Sequence, residues 1–300
     1  MHTNTNINGK GYFFVTDYKN NDVLRSSFNH LTKDTFGFDF EQWYADGYWQ
    51  NRYIPYSLVN GDTVVANVSV NILDFLVLGE KKKYVQLGTV MTDKAYRGLG
   101  LSRTLMERVL YDWQSKSDLI YLYANDSVLN FYSKFGFEKA NEYQCSKVVP
   151  KKDLPSAIRK LNMLCKDERD LLYRTASRSK CNSKISMIDN VSLIMFYCTS
   201  FMKDNVYYLD KLNAVVIAEY DRDILYLQDI FCINHISIDH VIEVMVNEQI
   251  QKVIMGFTPL DVSSLEFNLI QEDDTTLFIK SNSKSILTSE RLMFPILSHT

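Results

Sequence analysis

Cysteine is scarce in this 300-residue chain and follows no pattern. Cys145, Cys165, Cys181, Cys198 and Cys232 are odd in number, widely spaced and never in C-x-x-C. That spacing argues against a disulfide framework and reads as free thiols in a reducing, cytoplasmic setting. Histidines at metal-ligand spacing are lacking too. His235 and His240 stand five apart with Cys232 nearby, but no fourth ligand is in view, so no metal is expected. Positive charge is not in excess: 33 Lys and Arg against 36 Asp and Glu give a net charge of −3, which offers no global signature for nucleic acid. No run of about 18 apolar residues occurs, so no membrane partner is expected. The opening "MHTNTNINGKGYFF" lacks the apolar stretch and small-residue cleavage site of a signal peptide, and none is expected.

What remains is the balance of a globular protein, 46% hydrophobic and 23% charged. Nineteen Tyr and seventeen Phe suit strand-rich cores. The length fits one large domain or two ordinary ones.

Periodicity predicts a strand at 11–18, helices at 21–36 and 39–49, and strands at 52–59, 62–78 and 82–92. Asn60-Gly61 and Gly79-Glu80 turn the last three into an antiparallel meander. "RGLGLSRTLMERVLYDW" then opens a helix with Leu101, Leu105, Val109 and Trp113 on one face. A strand at 118–124 follows, parallel to the one ending at Thr92, because a helical crossover connects them. A short helix at 127–135 ends at Gly136, and 137–149 reads as the strand that closes this half.

Pro150, Lys151, Lys152 and Pro155 mark a boundary between domains 1–150 and 151–300. The second half reads as helical near 155–175. Strands follow at 205–210, 213–221 and 224–233, then a helix at 237–250, a strand at 252–257, and further strands over the last forty residues. Strand, strand, strand, helix, strand repeats the order of residues 52–124, a duplication of pattern without sequence identity. The second copy has "IFCINHISIDHV" between strand and helix, with no glycine. The closing "RLMFPILSHT" is apolar and is expected to dock as a strand or enter an interface; a homodimer stays open.

The glycines carry the chemistry. A helix start leaves backbone N–H groups without partners and carries partial positive charge, which suits a phosphate. Glycine lets the ligand approach where a β-carbon would hold it off. The amides from Leu99 to Arg103 converge, Ser102 is small and could add a hydroxyl, and Arg97 and Arg103 add charge. No Lys follows Gly100 as in a P-loop, and Arg103 stands where a dinucleotide fingerprint needs its third glycine. An ordinary tight turn and a cradle for some other phosphate both stay open on these residues alone.

Arg97-Gly98-Leu99-Gly100-Leu101-Ser102, after an antiparallel meander and opening a helix, resembles the R-x-x-G-x-[G/A] acetyl-CoA motif of the GNAT superfamily of N-acetyltransferases, with Ser102 as a small departure. "NDSVLNFYSKFGF" matches a second element of that family through Asn125, Tyr132, Gly136 and Phe137, 28 residues after Arg97. The resemblance covers about residues 10–148. It implies an α/β (α+β) fold with a mixed, mostly antiparallel central sheet flanked by helices, and a second, degenerate GNAT-like domain. It also implies acetyl-CoA as cosubstrate, a small-molecule or peptide amine as acceptor, and direct attack of the amine on the thioester. It assigns pantetheine contacts to Val90, Met91 and Thr92, and pyrophosphate contacts to the amides of Gly98, Leu99, Gly100, Leu101, Ser102 and Arg103. Asn125 would touch the cofactor or fix the following turn, and Tyr132 would serve the leaving thiolate. No base is assigned; Asp39, Glu41, Asp46, Asp74 and Asp93 are acidic candidates, and the aromatics of "FGFDFEQWYADGYW" could wall an acceptor pocket. A non-catalytic CoA-binding sensor with the same fold is the alternative, and an aminoacyl-tRNA-dependent transferase is disfavoured by the acidic balance.

Overall fold

The computed structural model describes residues 2–150, 158–281 and 286–299. In chain order the first half runs β1 (His2–Ile7), β2 (Lys10–Thr16), α1 (Asp22–Phe36), α2 (Glu41–Ala45), β3 (Tyr53–Asn60), β4 (Thr63–Val77), β5 (Glu80–Thr92), α3 (Leu101–Trp113), β6 (Leu119–Ala124), α4 (Leu129–Tyr132), β7 (Glu138–Lys139) and β8 (Tyr143–Val148). The second half runs β9 (Arg159–Lys160), α5 (Lys166–Ser177), β10 (Ile185–Ile188), α6 (Val191–Thr199), β11 (Val206–Leu209), β12 (Ala214–Asp221), β13 (Ile224–Cys232), α7 (Ile238–Met245), β14 (Lys252–Met255), β15 (Glu266–Leu269), β16 (Thr276–Lys280) and α8 (Ile286–Ser289).

Two sheets result. One has the order β1-β2-β3-β4-β5-β6-β16-β7, with β10 also on β4; the other has β15-β8-β14-β13-β12-β11-β9. Both are mixed and mostly antiparallel. Their parallel pairs are β5 with β6 and β13 with β14, each joined through a crossover helix. The meander and both crossovers follow the expected order.

Several elements depart from the sequence reading. A first hairpin, β1–β2, turns at Asn8-Gly9, both at positive φ. Its polar alternation "HTNTNI" hides a strand, although Asn-Gly is the same turn signal that marked β3–β4. The expected helix at 39–49 shrinks to the five residues of α2, and 127–135 breaks into short 3-10 and α turns around α4. Within 155–175, helix begins only at Lys166, Arg159–Lys160 is strand, and 155–157 lie outside the described residues. Of the last forty residues, Glu266–Leu269 and Thr276–Lys280 are strands, but Ile286–Ser289 is helical.

The largest departure is an exchange between the halves. β8, expected to close the first half, lies in the second sheet between β14 and β15. Its place is taken from the other end of the chain: β16 pairs with β6 from Thr276↔Ala124 to Lys280↔Ile120. The sequence marks 143–148 as a strand, but not which sheet edge it joins.

The C-terminal segment locks the exchange. It forms no strand among the described residues. Phe294, fully buried, stacks on Tyr121 at 4.1 Å with the rings 7° apart, and Tyr121 Oη donates to the Ser298 carbonyl at 3.1 Å. Ile296 N donates to the Gly256 carbonyl at 2.8 Å, and Leu297 joins the core that holds Phe231 of β13. The segment therefore lies against β13 and just beyond the end of β14. One core runs through both halves: Phe28, Phe40, Trp43, Trp49 and Tyr53 pack with Phe196, Leu277 and Phe294.

Phe294→Ala should cost about 3–5 kcal/mol, the range for emptying a buried aromatic site. Equilibrium urea unfolding measures it, and a cost below about 1 kcal/mol would contradict the locking role.

Candidate active site

β5 and β6 pair only at Tyr84↔Leu119, Val85↔Ile120 and Gln86↔Tyr121. Beyond that they separate. On its other edge β5 stays bound to β4, with an irregularity: Ser69 opposes Gly88 and Asn67 opposes Met91, so Thr89 and Val90 share the single partner position Val68. This is a bulge. Thr89 sits at φ 43°, in the left-handed region that costs a β-branched residue strain. Its partners hold it there. Asn67 Nδ2 donates to the Thr89 carbonyl at 2.9 Å, and the Thr89 and Tyr53 hydroxyls lie 2.5 Å apart. Asn67 itself is fully buried and fixed by Ser57 and Ser69 at 2.8 and 2.9 Å.

The opening is a cleft of about 1000 Å³. Val90, Met91 and Thr92 line its β5 side, and Tyr123, Ala124 and Asn125 line its β6 side. At one end lie Arg97, Gly98, Gly100, Leu101, Ser102 and Arg103, with Lys134 nearby; at the other lie Thr35, Phe36 and Phe38 from the end of α1.

Leu101 begins α3, and Gly100 precedes it at φ 84° with no side-chain cap; Gly98 is at φ 77°. The helix's first internal bond comes from Thr104 N to the Gly100 carbonyl, which leaves the amides of Leu101, Ser102 and Arg103 without intrahelical partners. A β-carbon built on Gly98 meets no protein atom within 4 Å, so the space beside it is open. Ser102 Oγ lies 2.6 Å from Thr92 Oγ1, tying the helix start to the end of β5. Arg97 Nε donates to the Thr92 carbonyl at 3.3 Å, and Arg103 pairs with Glu107 at 2.9 Å. Asn8 in the first hairpin turn donates to the Leu99 carbonyl at 2.9 Å, a brace that the sequence did not suggest. Leu99 packs against the core under α3.

Tyr132 lines the cleft and is 5% exposed; burial alone pushes its phenol up to about 12. Asn125 also lines it, and its Nδ2 donates to Asp274 Oδ2 at 3.0 Å, so the second half fixes the end of β6. None of the acidic candidates reaches the cleft. Glu41 is held by Arg25 and Asn29, Asp74 by Arg52 at 2.8 Å, and Asp93 caps Ala95 N at 2.8 Å; Asp39 and Asp46 also lie away from the walls. Among the described residues the walls carry no carboxylate and no imidazole. The aromatics of 36–49 divide: Phe36 and Phe38 face the cleft, while Phe40, Trp43 and Trp49 are core. No group of three or more His, Cys, Asp or Glu side chains that could hold a metal occurs among the described residues, and no helix among them is long and apolar enough to cross a membrane.

This geometry has known counterparts. A family profile described as "Acetyltransferase (GNAT) domain" matches residues 19–140. No curated protein sequence matches the chain. Among solved structures, a probable N-acyltransferase of unknown function from Enterococcus faecalis V583 aligns at a TM-score of 0.55 and 14% identity, over 89% of this chain and 71% of its own. A GCN5-related N-acetyltransferase from Kribbella flavida aligns at 0.53 and 16%, over 85% and 67%. Eis1 from Mycobacterium abscessus aligns at 0.53 and 13%, over 88% and 73%. Residues 19–140 thus match the GNAT acetyltransferase domain profile, and the chain shares the fold of these solved structures.

Proposed function

We propose that the chain is an acetyl-CoA-dependent N-acetyltransferase that moves an acetyl group from the CoA thioester to a primary amine by direct attack. One observation carries this reading. The two halves of the split between β5 and β6 are lined by different chemistry, unpaired helix amides with arginines at one end and apolar aromatics at the other. The first end suits a pyrophosphate and the second an acceptor, with the thioester between them. Thr89 and Val90, swung out by the bulge, offer backbone groups to the pantetheine arm beside Met91 and Thr92.

The leaving thiolate has a pKa near the ~8.5 of a cysteine. A Tyr132 phenol at about 12 is a poorer acid by roughly 5 kcal/mol. Tyr132 therefore acts by donating a hydrogen bond to the developing thiolate, an electrostatic role that needs no completed proton transfer.

Residues 1–150 would be catalytic and 151–300 non-catalytic. The second copy of the crossover lacks the glycines, and the chain's own Ile296 and Leu297 lie against the strands that would have to open. Its part is support: Phe196 packs on Phe38 and Phe40 behind the acceptor end, and Asp274 holds Asn125. The sensor reading shares every binding feature and differs only in turnover.

Acetyl-CoA should raise the melting temperature, by about 2.7 kcal/mol of stability at a hundredfold excess over its dissociation constant. Ser102→Asp should abolish that rise while leaving the unliganded protein as stable as before, because a carboxylate favours a helix start but repels a pyrophosphate. A full rise in the variant would remove the loop from the site. Tyr132→Phe should keep the acetyl-CoA shift and lower turnover at least tenfold; equal turnover, followed as released CoA thiol, would exclude Tyr132 from the chemistry.

A further inference from the structure

The acceptor amine raises a proton problem that the cleft walls do not solve. An alkyl ammonium with pKa near 10.4 must lose a proton before it can attack, at about 4.6 kcal/mol from pH 7. Neither a carboxylate nor an imidazole lines the cleft among the described residues.

Tyr123 offers a way out. It lines the cleft on the β6 side, just past the last β5–β6 pair, and it also lines a second cavity of about 260 Å³ behind the sheet. Among the described residues no other lines both. Its hydroxyl meets Glu142 Oε2 at 3.0 Å and His299 Nε2 at 2.8 Å, both from residues that line the rear cavity. The His299 ring lies over the Tyr123 ring at 4.1 Å between centroids. Glu142, 6% exposed, is anchored through its other oxygen, which accepts from Phe294 N at 2.7 Å. Glu272 lines the same cavity, and Tyr121 stands beside the cluster on β6. These are the titratable groups that face Glu142: Tyr121, Tyr123, Glu272 and His299.

Hydrogen counting makes the arrangement a chain. A phenol has one proton and here has two partners, so it must donate one bond and accept the other. With Glu142 ionised, Tyr123 donates to the carboxylate and accepts from Nε2–H. With Glu142 protonated, the carboxylic acid donates to Tyr123, which donates to the bare Nε2. The two orders differ by the shift of one proton at each end.

We infer that Tyr123 and Glu142 form a relay that carries the acceptor's proton from the cleft to the rear cavity, with His299 holding the Tyr123 hydroxyl in place. The inference rests on the acetyltransferase reading. The ammonium gives a proton to the Tyr123 oxygen while Tyr123 passes its own to the Glu142 carboxylate. The amine nitrogen then bonds to the thioester carbon, the C–S bond breaks, and the nitrogen's second proton neutralises the thiolate. Glu142 releases the first proton to solvent through the rear cavity. One proton leaves per turnover and charge balances. Burial holds the Glu142 carboxyl up at about 7 and His299 down at about 4, so the carboxylate is a fit acceptor near neutral pH, and the relay works above the Glu142 pKa and fails below it.

Nothing in the sequence pattern marks this group. Its members lie on β6, on the link between β7 and β8, and next to the last residue of the chain, and only the strand exchange brings them together.

The test is CoA-thiol release with spermidine, tyramine and a lysine-containing peptide as acceptors, followed as kcat/KM against pH. The wild-type profile should rise through about pH 7 with the fastest of these amines. Glu142→Gln keeps a group that can accept from Phe294 N, and should lose that limb and about a hundredfold in kcat/KM at neutral pH. Tyr123→Phe should do the same without touching either partner. Both should keep the melting-temperature rise given by acetyl-CoA. A Glu142→Gln or Tyr123→Phe enzyme with the wild-type limb and a rate within twofold of wild type would overturn the relay alone. Wild-type protein that releases no CoA with any of the three amines would overturn the transferase reading, and the relay with it.

Discussion

The cleft depends on two neighbouring strands that stop pairing after three residues. Parallel strands joined by a crossover helix would ordinarily continue side by side. Here β5 is diverted by the bulge at Thr89 and Val90, and β6 is drawn off by β16 on its far edge. Exposed backbone groups in the gap need partners, from water or from a ligand. The gap opens toward the start of α3, where three more amides lack partners. The proposed cofactor, with an amide-rich arm and a pyrophosphate, would satisfy both sets at once. The bulge is costly for Thr89 and persists because Asn67 and Tyr53 bind its carbonyl and hydroxyl from within the core.

The second half supports the opening of the first. β16 pairs along the far edge of β6, opposite the edge that β5 leaves, Asp274 fixes the end of β6, and Phe294 stacks beneath it on Tyr121. The C-terminal segment serves both sheets, since its next residues bind the end of β14 and pack on Phe231. A pattern repeated in sequence has become two unequal sites, one open and one covered by the chain itself.

Much of this was legible in the residues. The meander, the α3 amphipathic face and the parallel return of β6 follow from periodicity and turn chemistry, because each is decided locally. Gly98 and Gly100 were read as letting a phosphate approach the backbone, and the structure holds both at positive φ. The expected Val90, Met91, Thr92, Arg97, Ser102, Arg103, Asn125 and Tyr132 all line one cleft. What was not legible is long-range. Tyr143–Val148 reads as a strand in either sheet, so the exchange was invisible. Asn8 reaches Leu99 across 91 residues, and Glu142 meets Phe294 across 152. The polar β1 strand was missed because half-exposed edge strands need few apolar residues.

Amide hydrogen exchange with and without acetyl-CoA tests the central claim most directly. The account predicts ligand-induced protection concentrated at 88–92, 99–103 and 123–125, the lips of the split and the helix start, with residues 252–257 of the second copy unchanged. Protection centred on 228–257, or none at 99–103, would contradict it.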